Sequence, residues 1–333
     1  MKKKRSILIL GGAGYIGTVT VDFFLKKKYK VTCIDNLLYG QKNILKSFKK
    51  NKNFTFLNID LRDRKKIENV LIQETNILIL AGLVGDPITK KYKKLSHSIN
   101  YIGIKNFILS CRDKKNIKRL VFVSTCSNYG IGEKKLLSEK AKLKPLSYYS
   151  KQKVMIEKLL IKMKKTNFTS TILRFATAFG LSPRMRFDLT INHFVKSLSD
   201  GETLKIYDPK TSRPYCHVLD FARAINKVFD SKAEKVDKEV FNVGDNKNNF
   251  SKKKIVEQVS KYISSPKILF LKKGVDKRDY IVDFMKIKKK LNFKTKYSIN
   301  FGIKEILNYV EKNKKIKKSL KNLGNFKIRN SVT

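Results

Sequence analysis

Ser6-Ile7-Leu8-Ile9-Leu10-Gly11-Gly12-Ala13-Gly14-Tyr15-Ile16-Gly17 runs from a short apolar stretch into a loop that satisfies both GxxGxxG and GxGxxG, and then into an apolar segment reaching Leu25. A strand, a glycine turn and a helix in that order place unpaired helix N–H groups where a pyrophosphate can sit, while the glycines let the backbone turn tightly and come close to it. The stretch predicts a dinucleotide site, with Gly11, Gly14, Tyr15, Ile16 and Gly17 as contacts.

Working outward, short apolar runs recur at residues 31–34, 54–59, 77–80, 120–124 and 171–175, separated by segments with helical spacing such as 16–25, 102–111 and 149–163. Alternating buried strands and amphipathic helices predict an α/β protein with a Rossmann-type doubly wound parallel sheet. The rhythm weakens after residue 179. We expect a dinucleotide-binding domain over residues 1–179 with 216–245 returning to it, a smaller α+β substrate domain over 180–215 and 246–318, and a loosely held tail over 319–333.

The 333 residues suffice for a sizeable core, and 75 basic against 27 acidic side chains give a formal net charge of +48. Of the basic residues 63 are Lys and 12 are Arg, whereas specific phosphate and base readers lean on Arg. The charge therefore reads as solvated lysine surface, with nucleic-acid binding as a minor alternative. Cys33, Cys111, Cys126 and Cys216 match no zinc or CxxC spacing, so free thiols, no metal and a cytoplasmic setting are expected. No stretch approaches the ~18 apolar residues of a membrane span.

Three strand ends supply candidate chemistry. Asp35, followed by Asn36, can accept hydrogen bonds from both hydroxyls of an adenosine ribose and repel a 2′-phosphate, which argues for NAD over NADP. Asp60, followed by Leu61, is placed to meet the adenine. Thr125 leaves the sheet with a hydroxyl at its carboxyl edge. Tyr149-Ser150-Lys151-Gln152-Lys153 is a YxxxK on a predicted helix, so the phenol of Tyr149 and the ammonium of Lys153 share one face. Bringing a phenol from near 10 to about 7 needs roughly 4 kcal/mol in favour of the phenolate, which Lys153 and a positive nicotinamide ring can supply.

With GGAGYIG, DNL after the second strand, STCSNYG, YSKQK, LRFATAFG, SRPYCHV and DKRDYIVD in order, the chain resembles the extended short-chain dehydrogenase/reductase family, in its nucleotide-sugar epimerase/dehydratase branch, from Ile7 to about Val310. The resemblance implies Tyr149 as base, Lys153 on the nicotinamide ribose and Thr125 orienting the sugar's reacting oxygen. It adds Ala81, Gly82 and Asn100 to the cofactor side, although Ile79-Leu80-Ala81-Gly82 lacks the family's usual His. Ser127, Asn192, Arg213 and Arg278 become contacts of a nucleotide-diphosphate sugar. Arg184 and Arg186 stay open between such contacts and solvated side chains. His217 reads as a satisfied structural histidine.

The family's 4,6-dehydratases carry adjacent Asp and Glu after the catalytic Thr, and this chain has Cys126 and Ser127. What the resemblance leaves is 4-epimerisation, or net 4-dehydrogenation as in GDP-heptose 4-dehydrogenases of surface polysaccharide biosynthesis. An NAD-sensing or nucleic-acid-binding protein on the same fold is the reading from a different class. A homodimer through the YxxxK helix is expected, with Val154, Ile156, Leu159, Leu160 and Met163 facing either the partner or the sheet.

Overall fold

Apolar residues run almost without interruption through the predicted strands because both faces of the sheet are covered by helices. The computed structural model describes residues 5–72, 76–272, 274, 278–313, 320 and 323–329. Its central sheet comprises β1 (Ser6–Leu10), β2 (Lys30–Ile34), β3 (Phe54–Leu57), β4 (Asn76–Ile79), β5 (Arg119–Thr125), β6 (Thr169–Phe175) and β7 (Glu239–Val243). These pair in the order β7-β6-β5-β4-β1-β2-β3, every pair parallel. Within β1, Ile7 and Ile9 enter one core and Leu8 and Leu10 the other, as a period of two requires. Chain direction across the sheet reverses between β1 and β4, and ligands of such sheets bind at the carboxyl edge beside that point.

Six helices matter below: α1 (Tyr15–Lys26), α2 (Ile104–Cys111), α3 (Tyr148–Lys162), α4 (Thr190–Ser199), α5 (Val218–Asp230) and α6 (Ile299–Lys312). A capping box starts α3: Ser147 Oγ accepts from Ser150 N at 3.1 Å, and Ser147 N donates to Ser150 Oγ at 3.2 Å. Just ahead of α2 the backbone widens into a π-helical turn, Ser98–Gly103, that helical periodicity in the sequence does not reveal. Ile156 and Leu160 of α3 are buried in the sheet core, with Leu159 and Met163 packed against it, so these apolar positions serve the sheet.

Beyond β6 a second core forms from α4, α6 and the helix Lys252–Ser260, through Ile191, Val195, Ile255, Val259, Ile303 and Ile306. The strand Ser212–His217 runs parallel to Thr177–Phe179 and antiparallel to Asn249–Ser251. Ile131–Leu137 pairs with Asp279–Val282, and Leu204–Tyr207 with Ile268–Leu271. No helix among the described residues is long and apolar enough to cross a membrane.

The C-terminal segment departs from the expected loose tail. Residues 323–329 are docked: Phe187 N donates to Leu323 O at 2.8 Å, Asn325 Nδ2 to Val84 O at 2.9 Å, and Arg329 N to Leu38 O at 2.8 Å. Hydrogen bonds distant along the chain, invisible to periodicity, hold it across both lobes. Asp276, Lys277 and the lysine run 314–318 lie outside the described residues.

Under α3 lies a buried ion pair. Glu157, 1% exposed, meets Arg174 of β6, 5% exposed, at 2.7 Å, and also accepts from Ser124 and Asn128. Removing one partner of such a pair strands a charge in low dielectric and costs about 3–5 kcal/mol. Arg174→Met should lower the unfolding free energy by that amount, read as a fall in the urea midpoint at unchanged m-value, and Glu157→Gln added to it should recover at least half.

Candidate functional site

A cavity of about 1000 Å³ opens at the carboxyl edge of the sheet, between the two lobes. At one end stands the glycine loop. Gly11 has φ +82°, and a Cβ there would lie 2.7 Å from Ala81 Cα; a Cβ on Gly17 would lie 2.3 Å from the Gly11 carbonyl oxygen. Only glycine lets the loop close this tightly against β4 and against itself. Gly14 caps α1 without any side-chain acceptor, so the helix N-terminus faces the cavity with N–H groups still to be satisfied.

Asp35 lines the same end. Its Oδ2 accepts from Ala13 N at 3.1 Å and its Oδ1 from Leu37 N at 2.8 Å, which fixes the carboxylate and leaves further lone pairs for a ligand. Burial raises its pKa above the ordinary carboxylate value, opposed by those two N–H groups and by Arg184. A glycine cradle, an uncapped helix end and a fixed carboxylate fit a dinucleotide with two ribose hydroxyls.

Midway along the cavity β5 and α3 bring Thr125, Tyr149 and Lys153 to one wall. Lys153 Nζ donates to Val123 O at 2.7 Å and lies 4.6 Å from the Phe122 ring centroid and 5.8 Å from that of Tyr149. Burial pulls the ammonium pKa down to about 7, with Glu157 acting against it. Burial pushes the phenol of Tyr149 above its ordinary value, and the offsetting charges within the protein are the guanidinium groups of Arg186 and Arg278. An acidic phenol therefore requires more positive charge than the protein alone provides. Thr125 Oγ1 accepts from Ser127 N at 3.1 Å, which holds the hydroxyl in place.

The far end carries Ser127, Arg213 and Arg278. Arg278 meets Asp86 at 3.0 Å and Ser127 Oγ at 3.4 Å; Arg213 stacks over the Tyr280 ring at 5.0 Å. Two planar guanidinium groups and the Lys252 ammonium on one wall suit a diphosphate.

Sixteen of the expected residues line this one cavity: those of the glycine loop, Asp35, Asn36, Leu61, Ala81, Gly82, Thr125, Ser127, Tyr149, Lys153, Arg213 and Arg278. Three do not, and each has its side chain engaged elsewhere. Asp60, expected at the adenine, is gripped by Arg62 at 2.8 and 2.9 Å and holds Asn36 Nδ2 at 2.8 Å; these bonds outweigh burial and keep its pKa low. Asn100, in the π turn, clamps Leu83 through N–H···Oδ1 at 2.7 Å and Nδ2···O at 3.0 Å, and donates to Gln152 at 2.9 Å. Asn192, expected on the substrate, accepts from Gly180 N at 3.1 Å and donates to Tyr15 OH at 3.2 Å and Arg186 O at 3.0 Å. Asn100 and Asn192, both buried, stand behind the wall.

His217 is fully buried against Glu305, Nε2 to Oε1 at 2.7 Å. The wall also includes Tyr39, Asp86, Arg184, Arg186, Asn325 and Phe326. The RxRxD spacing of Arg184, Arg186 and Asp188 carries a hint of a buried cluster, whereas nothing in the sequence around Asn325 points to the cavity.

A profile of the NAD dependent epimerase/dehydratase family matches residues 7–244. The UDP-glucose 4-epimerase of Bacillus subtilis (strain 168) is 26% identical, over 72% of this chain and 77% of its own length. The UDP-glucuronate 4-epimerase of Thermodesulfobacterium geofontis (strain OPF15) is 27% identical, over 94% and 98% respectively. Among solved structures, the UDP-glucuronic acid 4-epimerase from Bacillus cereus, in complex with UDP-glucuronic acid and NAD, shares the fold with a TM-score of 0.81 at 24% identity, covering 92% of this chain and 99% of that one. The chain belongs to the NAD-dependent epimerase/dehydratase family.

Proposed function

We propose that the protein is an NAD-dependent nucleotide-sugar 4-epimerase. The observation that carries this reading is the shared cavity: a dinucleotide cradle at one end, paired arginines at the other, and Tyr149, Lys153 and Thr125 on the wall between. NAD, when bound, supplies the hydride acceptor at C4 and returns the hydride later. The phenol oxygen of Tyr149 takes the proton of the C4 hydroxyl and gives it back after the 4-keto sugar has turned its other face. Thr125 orients the reacting oxygen, and Lys153, anchored on Val123, holds the nicotinamide ribose. Ser127, Arg213 and Arg278 keep the nucleotide diphosphate in place while the sugar rotates.

Dehydration is disfavoured because the position after Thr125 carries a thiol, not a carboxyl group. Cys126 is buried with Sγ on the Arg174 carbonyl at 3.3 Å, and burial pushes its pKa well up. Net 4-oxidation of the GDP-heptose type is the competing outcome, and it would leave free NADH. The reading includes a cytoplasmic homodimer, for which the exposed apolar side chains Ile102 just before α2, Leu109 on α2, and Met155 and Ile161 on α3 offer a face.

Incubation with UDP-, GDP-, dTDP- and CDP-sugars, following C4 configuration by NMR and NADH by absorbance, should give inversion of one of them without NADH release. Tyr149→Phe should lower kcat by about 10²–10⁴-fold while NAD stays bound; undiminished turnover of every nucleotide sugar would end the proposal. A pH series on the cofactor-free protein tests Lys153. Its folded pKa of about 7 lies below its ordinary 10.5, so between these values the unfolded chain holds the extra proton and stability rises with pH. Lys153→Met should flatten that rise, measured as the difference between the two stability profiles.

A further inference from the structure

Arg184 is the buried cation of the cavity to which the proposed reaction gives no task. It is 6% exposed, with its guanidinium 4.9 Å above the Tyr39 ring. Arg186, two residues on, is also buried, but Asp188 saturates it through Nε to Oδ1 at 3.0 Å and a second bond to Oδ2. For Arg184, the acceptor among the described residues is a single backbone carbonyl, Gly324 O at 3.3 Å. Five N–H donors and a full charge are thus held in a desolvated place by one neutral oxygen and an aromatic face. Burial, and after it the neighbouring Arg186 charge, draw its pKa down to about 10, while Tyr39 and the carboxylates of Asp188 and Asp35 act the other way without a hydrogen bond to it among the described residues.

Its position says which anion it can take. Arg184 N donates to Ser182 Oγ at 3.2 Å, and Ser182 Oγ in turn donates to Tyr15 O at 2.7 Å and meets Thr18 Oγ1 at 3.0 Å. The loop is therefore bolted to the first turn of α1, the helix whose uncapped N-terminus faces the cavity. Tyr39, on which the guanidinium rests, follows β2 and the ribose-facing Asp35. Arg184 consequently lines the dinucleotide end of the cavity, away from Arg213 and Arg278 at the other.

We propose that Arg184 clamps the diphosphate of the bound dinucleotide from the smaller lobe, opposite the N-terminus of α1, with Tyr39 and the Gly324 carbonyl aiming it. The inference rests on the NAD-dependent reading of the cavity. A clamp reaching across from the second lobe makes closure of the two lobes contribute to cofactor retention, which suits a reaction that must get its hydride back.

Calorimetric titration of the wild-type protein, Arg184→Met and Arg184→Lys with ADP-ribose, with adenosine and with UDP tests it. Arg184→Met should weaken ADP-ribose by about 10–100-fold, as loss of a charged hydrogen-bonding partner does, and leave adenosine within about twofold. Arg184→Lys should restore part of the ADP-ribose affinity, and the wild-type protein should lose affinity with salt more steeply than Arg184→Met. Equal weakening of ADP-ribose and adenosine marks a purely structural residue and overturns the proposal, as does unchanged ADP-ribose binding. A loss confined to UDP assigns the guanidinium to the substrate's diphosphate and also overturns it. Failure of the wild-type protein itself to bind ADP-ribose would instead sink the dinucleotide reading.

Discussion

The ion pair between Glu157 and Arg174 fixes where the chemistry can happen. Lys153 sits one turn before Glu157 on the same face of α3, and its ammonium is tied to the Val123 carbonyl of β5. Glu157 reaches past β5 to β6 and accepts from Ser124, the neighbour of Thr125, and from Asn128 in the turn that follows. One carboxylate thus sets the distance between the helix bearing Tyr149 and the strand end bearing Thr125. Buried carboxylates are retained only when fully hydrogen-bonded, and this one serves three elements at once. A shift of about 1 Å here would misplace a proton acceptor enough to matter for rate.

A second constraint joins the lobes. Tyr15 OH donates to Gly180 O at 2.6 Å and accepts from Asn192, whose own oxygen takes the Gly180 N–H. Burial raises the Tyr15 phenol's pKa, so it remains a donor throughout the physiological range. The same residue opens α1 and lines the cavity. The joint between lobes is therefore built on the first turn of the dinucleotide-binding helix, and anything that orders this turn also orders the loop carrying Arg184 and Arg186.

What was legible in the sequence follows the range of the forces involved. Nearly continuous apolar runs wrote β1 to β6 plainly and helical spacing wrote α1 to α3, and the glycine loop stood out because Gly11 and Gly17 lie where no Cβ fits. Asp35, Thr125, Tyr149 and Lys153, which all line the cavity, could be singled out because strand ends and i,i+4 spacing are local facts. Asp60, Asn100 and Asn192 do not line the cavity. Their amide and carboxylate groups are claimed by partners such as Gln152, 52 residues from Asn100, and Tyr15, 177 from Asn192, and no window along the chain shows such a claim. The docking of residues 323–329 was hidden for the same reason.

The excess of lysine can be judged by where each kind of cation lies. Among the described residues, Arg184, Arg186, Arg213 and Arg278 of the 12 arginines line the cavity, and of the far more numerous lysines Lys90, Lys91, Lys153 and Lys252 do. Such enrichment of arginine is the distribution expected if guanidinium is placed for paired hydrogen bonds and ammonium for solvation. Lys153 is the exception that fits, since a pKa near 7 is available to a buried ammonium and not to a guanidinium. A formal charge of +48 makes a field that is screened by salt and selects among anions only weakly, whereas guanidinium groups fixed in a cavity wall present the paired hydrogen bonds that discrimination needs.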